Sequence, residues 1–191
     1  MLHFKASDNL KALNAQIVDL VPHDVSVIEV GCGAGELLNQ LAPKIGQGVG
    51  LDTSKRAITK AVQLRGLADN GCLDFQCRDL AVYRPTDFFD VSIASLFFHT
   101  VPISVAKEVF HMMQTKSNKI VICGFSDATT WKQRLQLWVD QRLTPHYGHF
   151  KAYQHHGGMN GLIQSQGLGD VIVHDTHIPF VSLYEIDSRN H

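Results

Sequence analysis

Apolar residues recur at Leu10, Leu13, Ile17 and Leu20, three, four and three positions apart, between Ser7-Asp8 and Pro22. That spacing predicts an amphipathic helix over residues 7–21, capped by the polar pair and stopped by the proline. The period then changes. VSVIEV (25–30) is short, apolar and rich in β-branched residues, which predicts a strand buried on both faces. ELLNQLAPKI then reads as a helix stopped near Pro43, and GQGVGLD (46–52) as a second strand. A helix over 54–68, strands over 72–80 and 89–98, a helix over 103–114 and a fifth strand over 119–125 continue the alternation.

Strands alternating with helices at this period predict a parallel sheet covered on both faces. After the fifth strand the rhythm breaks. Residues 127–157 form a lid-like insert, with a second amphipathic helix over 129–143 carrying Trp131, Leu135 and Trp138 on one stripe. The run HYGHFKAYQHHGG follows, and then a short helix over 159–169. Two alternating runs in 171–186, joined around Pro179, predict an antiparallel hairpin at the sheet edge. The expected fold class is α/β: one Rossmann-like domain over residues 1–191, with a doubly wound, mostly parallel seven-stranded sheet.

Composition narrows the function classes. Apolar residues make up 45% and charged residues 18% of the 191, which fits a packed core and argues against disorder or a coiled coil. Lys plus Arg number 17 against 18 acidic residues, so long nucleic acid finds no basic block to bind. No apolar run is long enough to span a membrane, and the N-terminus lacks a signal-peptide pattern, which makes cytoplasmic residence the expectation. Cys32, Cys72, Cys77 and Cys123 form no CxxC pair and read as reduced thiols.

The chemistry concentrates in VIEVGCGAGELL (27–38). A strand that ends in spaced glycines and runs into a helix exposes backbone N–H groups and the positive helix end to a ligand. A nicotinamide-dinucleotide turn would read GxGxxG, but Glu36 stands where its last glycine belongs and sets a carboxylate near the pyrophosphate position. A Walker-type loop needs a following Gly-Lys-Ser/Thr, which is absent.

The pattern Glu29-x-Gly31-x-Gly33-x-Gly35 resembles the first motif of class I S-adenosylmethionine (SAM)-dependent methyltransferases. Asp52, ending GVGLD, stands where that family's carboxylate accepts hydrogen bonds from both ribose hydroxyls, with Thr53 beside it. Asp79 in CRDL matches the residue that meets the adenine amino group, and Leu80 the one that packs on the ring or offers its N–H. FDVSIASLFFHTV resembles the fourth motif, with Asp90 opening the strand as a structural residue and Ser95, Leu96 and His99 at its exit. The Asn/Asp-Pro-Pro-Tyr/Phe signature of nucleobase and glutamine methyltransferases is absent. The resemblance therefore implies a SAM-dependent enzyme, releasing S-adenosylhomocysteine, that methylates a small molecule and is similar to the ubiquinone/menaquinone-biosynthesis branch. In it Glu29, Gly31, Gly33, Gly35 and the Cys32 backbone hold the aminocarboxypropyl end of the cofactor.

Two alternatives stand beside this reading: a nicotinamide-dependent oxidoreductase, and a non-catalytic SAM-fold subunit that activates a partner. Methyl transfer from a sulfonium needs mainly alignment and exclusion of water. A hydroxyl or ammonium nucleophile also needs a proton acceptor, and His99, at the exit of a central strand, is the candidate base. Trp131, Tyr147, Tyr153 and His155 are candidates for a substrate lid, and the histidine run, without HExxH or cysteine partners, is not read as a metal site.

Overall fold

The structure is a computed structural model that describes residues 6–68, 71–126, 146–167, 170–178 and 180–190. Its strands are β1 Ser26–Val30, β2 Gln47–Asp52, β3 Leu73–Cys77, β4 Phe89–Ser95, β5 Ser117–Phe125, β6 Val171–Asp175 and β7 Val181–Asp187. They form a seven-stranded sheet in the order β3-β2-β1-β4-β5-β7-β6. The first five are parallel, and β7 and β6 add antiparallel pairings at one edge. This is the doubly wound sheet with a terminal antiparallel hairpin that the hydrophobic pattern predicts.

Strand alternation divides the core in two. On one face Val27, Val91, Ile93, Val121 and Leu183 pack under α1 (Ala6–Leu20), α2 (Glu36–Leu41) and α3 (Lys55–Ala68). On the other Ile28, Leu51, Ala94, Ile122 and Tyr184 pack under α4 (Ile103–Lys116) and α6 (Gly158–Ser165). Between β5 and α6 lies α5 (Tyr147–His155). The order of β1 and β4 reverses the direction of strand addition, so the C-terminal ends of β1 and β4 border the switch-point crevice where open α/β sheets take ligands.

Several boundaries move inward. The strand expected over 72–80 ends at Cys77, which leaves Asp79 and Leu80 on a loop. The one expected over 89–98 ends at Ser95, and Phe98–Thr100 form a 3-10 turn instead. Most of the histidine-rich run, where periodicity predicted no regular element, is the helix α5. The helix expected over 129–143, with Trp131, lies outside the described residues.

α1 has no basic residue in its last turn to meet its unpaired carbonyls. Distant lysines supply that charge: Lys44 Nζ donates to the Val18 carbonyl at 2.7 Å and Lys119 Nζ to that of Leu20 at 2.8 Å. The C-terminal end of α1 is thereby fixed to the body of the fold, and its earlier turns lie over the glycine turn.

Candidate functional site

Gly31, Gly33 and Gly35 all have left-handed φ, of 72°, 54° and 76°. At Gly31 a Cβ would also stand 2.6 Å from Phe97 Cδ2, so only glycine admits that ring. At Gly35 a Cβ would fall 2.7 Å from Phe75 Cε1 and 3.0 Å from the Ala61 Cβ. The third glycine of the motif thus serves helix–strand packing. It caps the start of α2 and, unlike its predicted cofactor role, lines neither of the cavities described next.

Two cavities open over the C-terminal strand ends and share Gly31, Ser95 and Leu96 as walls. The larger, of about 500 Å³, is lined among others by Asp52, Thr53, Asp79, Leu80, Phe97 and His146. The smaller, of about 320 Å³, is lined by Glu29, Cys32, Gly33 and Glu36, and by Leu10 and Asn14 of α1. Of the ten residues expected to hold the cofactor, all except Gly35 therefore come together.

Asp52 is positioned by backbone. Its Oδ2 accepts the Gly33 N–H at 3.0 Å and its Oδ1 the Ser54 N–H at 2.7 Å, so the carboxylate is locked between the glycine turn and the start of α3. Each oxygen keeps lone-pair capacity for a further donor from the larger cavity. Asp79 Oδ1 accepts the Ala81 N–H at 3.0 Å, which shapes the loop below Leu80.

Glu29 is 3% exposed and its Oε2 has no hydrogen-bond partner. Burial, and then the nearby Asp52 charge, push its carboxyl up to about 8, against a smaller pull from the Leu38 backbone. Burial, with Glu29 and Asp52 adding to it, likewise raises the Cys32 thiol, so Cys32 is no thiolate nucleophile. Leu96 adopts φ 51°, rare for a leucine, with its N–H fixed to the Cys123 carbonyl at 2.8 Å. That left-handed residue turns the chain out of β4 and makes it a wall of both cavities.

His99 lies elsewhere. It is 9% exposed and lines neither cavity, packing edge-on against Phe125 at 4.6 Å between ring centroids, with Phe150 and Tyr153 beyond. Burial, and then His146, lower its pKa to about 4, so the ring is neutral. Tyr153 is buried with its hydroxyl on the Phe125 carbonyl at 3.0 Å, and neither it, Tyr147 nor His155 lines either of these two cavities. Asp90 sits at the opposite end of the sheet, accepting the Ser26 N–H at 2.8 Å and its hydroxyl at 2.7 Å, the structural role expected of it.

Asn14, Phe97 and His146 are among the wall residues that sequence reasoning missed. Asn14 had a readable signal, a polar residue inside the apolar stripe of α1, whereas Phe97 was absorbed into an overlong strand and His146 was one histidine among several.

A family model for "Methionine biosynthesis protein MetW" matches residues 11–153. The chain belongs to the MetW family. That span contains the glycine turn, Asp52, Asp79 and the β4 exit. No curated protein sequence matches the chain. Among solved structures, the N-methyltransferase NodS from Bradyrhizobium japonicum WM9 is similar at TM-score 0.66 and 16% identity, covering 97% of this chain and 98% of that one. Magnesium protoporphyrin IX methyltransferase from Synechocystis PCC 6803, with S-adenosylhomocysteine bound, gives 0.65 and 16%, covering 98% and 88%. An O-methyltransferase family protein from Burkholderia thailandensis gives 0.72 and 18%, covering 94% of this chain and 57% of that one. The MetW-family chain therefore has the fold of class I SAM-dependent methyltransferases.

Proposed function

We propose that this MetW-family chain binds SAM and transfers its methyl group to a small molecule. One observation carries the reading: Glu29, Glu36, Asp52 and Asp79 line the paired cavities, and no lysine or arginine does so among the described residues. Phosphate-bearing dinucleotides are repelled by such a lining, while a ligand with an ammonium, a sulfonium and neutral ribose hydroxyls is matched by it. The oxidoreductase alternative loses its footing on the same observation.

In this reading Asp52 holds the ribose hydroxyls, Asp79 and Leu80 the adenine, and Glu29 with the Gly33 backbone the amino-acid end. SAM supplies an activated methyl group. Ser95 and Leu96, shared by both cavities, would flank the bound cofactor, and the protein's task would be to align an acceptor beside them and exclude water. Tyr147, Tyr153, His155 and Trp131 remain candidates for the acceptor side of a lid, and Tyr153 and His99 contribute to it as the aromatic packing that seats α5. Cytoplasmic residence is part of the proposal, supported by four free cysteines and, among the described residues, by no helix long and apolar enough to cross a membrane.

A second reading, a SAM-fold subunit that activates a partner without turnover, is favoured by the seclusion of His99 from both cavities. Incubation with methyl-labelled SAM and a metabolite extract separates the two. Label in a small-molecule product supports the enzyme, and SAM binding without transfer supports the subunit.

A further inference from the structure

The smaller cavity has a wall that the glycine turn does not supply. Asn14 is 3% exposed and lines that cavity together with Glu29, and no hydrogen bond of its amide is found among the described residues. An amide left without a partner costs stability, and a leucine, branched at the same carbon, would suit the stripe of Leu10, Leu13 and Ile17 better. Such a group is retained where a ligand completes it. Glu29, whose Oε2 is unpartnered, lines the same cavity and supplies an acceptor that complements this donor. An acceptor and a donor lining one cavity of about 320 Å³ fit an α-ammonium carboxylate.

We infer that Asn14 is a specificity-determining residue: its amide donates to the carboxylate of the ligand's amino-acid end while Glu29 receives the ammonium, so α1 selects an amino-acid-bearing nucleoside over a plain one. The inference rests on the SAM reading above and adds a residue from outside the glycine motif. The bonds from Lys44 to Val18 and from Lys119 to Leu20 anchor α1, so that Asn14 meets the ligand from a fixed position.

The test is calorimetric titration with S-adenosylhomocysteine and, separately, with 5′-methylthioadenosine, which has the same nucleoside and neither ammonium nor carboxylate. Asn14→Leu is expected to weaken S-adenosylhomocysteine at least about tenfold, the loss of one hydrogen bond to a charged group, and to leave methylthioadenosine unchanged. Asn14→Asp, which removes the donor and keeps the shape, is expected to weaken S-adenosylhomocysteine likewise. Retained methylthioadenosine binding shows that the variants fold. If Asn14→Leu weakens both ligands equally, or neither, or if Asn14→Asp binds S-adenosylhomocysteine as wild type does, the assignment is overturned and the SAM reading stands. If wild type binds neither nucleoside, the SAM reading falls and the assignment with it.

Discussion

The Gly33 backbone N–H is bound to Asp52 Oδ2 at 3.0 Å, so the glycine turn after β1 and the carboxylate ending β2 are one unit. The residue that would hold the ribose also holds the turn that would hold the amino-acid end. Removing it is therefore expected to disturb both halves of the site together. Asp52→Ala should weaken S-adenosylhomocysteine more than tenfold, because hydrogen bonds to a charged group are each worth about 1.5–3 kcal/mol. Calorimetry measures this, and unchanged affinity would remove Asp52 from the site.

Gly35 and Gly33 look alike in sequence and differ in surroundings. Gly35→Ala must accept both a φ of 76° and overlap with Phe75, whereas Gly33→Ala meets nothing within 4 Å of the new Cβ. Left-handed backbone costs about 1–2 kcal/mol, and overpacking typically adds 1–3 kcal/mol of that order. Thermal unfolding should thus show a larger drop for Gly35→Ala, and equal drops would contradict the packing role.

Glu29 gives the stability of the free protein a pH dependence. Its carboxyl is raised from an ordinary 4.5 to about 8, so the fold favours the protonated form. That contribution is full below pH 4.5 and is lost as pH rises toward 8. Glu29→Gln, neutral at every pH, should remove this decline from a series of melting curves, and an unaltered decline would mean that Glu29 is not its source.

His99 acts in the opposite direction. Its pKa falls from 6.5 to about 4, so its contribution is full above pH 6.5 and is lost as pH drops toward 4. His99→Phe, which keeps an aromatic ring beside Phe125 and Phe150, is expected to soften acid unfolding across that window. It should also leave S-adenosylhomocysteine affinity within about twofold, as a ring outside both cavities requires.

The sheet order and the carboxylates that line the crevice were legible because they rest on local rules. β-branched runs mark the strands, glycines mark the turn, and an acidic residue closes β2 where the crevice begins. The role of Gly35 was not, because its need for glycine comes from Phe75, forty residues away in sequence and adjacent only once β2 and β3 pair. The surroundings of His99 were hidden for the same reason. Its position at the β4 exit suggested a base, while the aromatic neighbours that bury it, Phe125, Phe150 and Tyr153, come from β5 and α5. Asn14 shows the converse: one polar residue in an apolar stripe was visible, but its meaning needed the cavity above the glycine turn.

A pair of cavities lined by carboxylates and, among the described residues, by no lysine or arginine is expected to take a SAM-type nucleoside. This expectation is tested most directly by titrating the protein with S-adenosylhomocysteine and with NAD⁺ in parallel calorimetry. Saturable one-to-one binding of S-adenosylhomocysteine, lost in Asp52→Ala, with no heat from NAD⁺, is the expected result. Binding of NAD⁺ without S-adenosylhomocysteine would contradict the account.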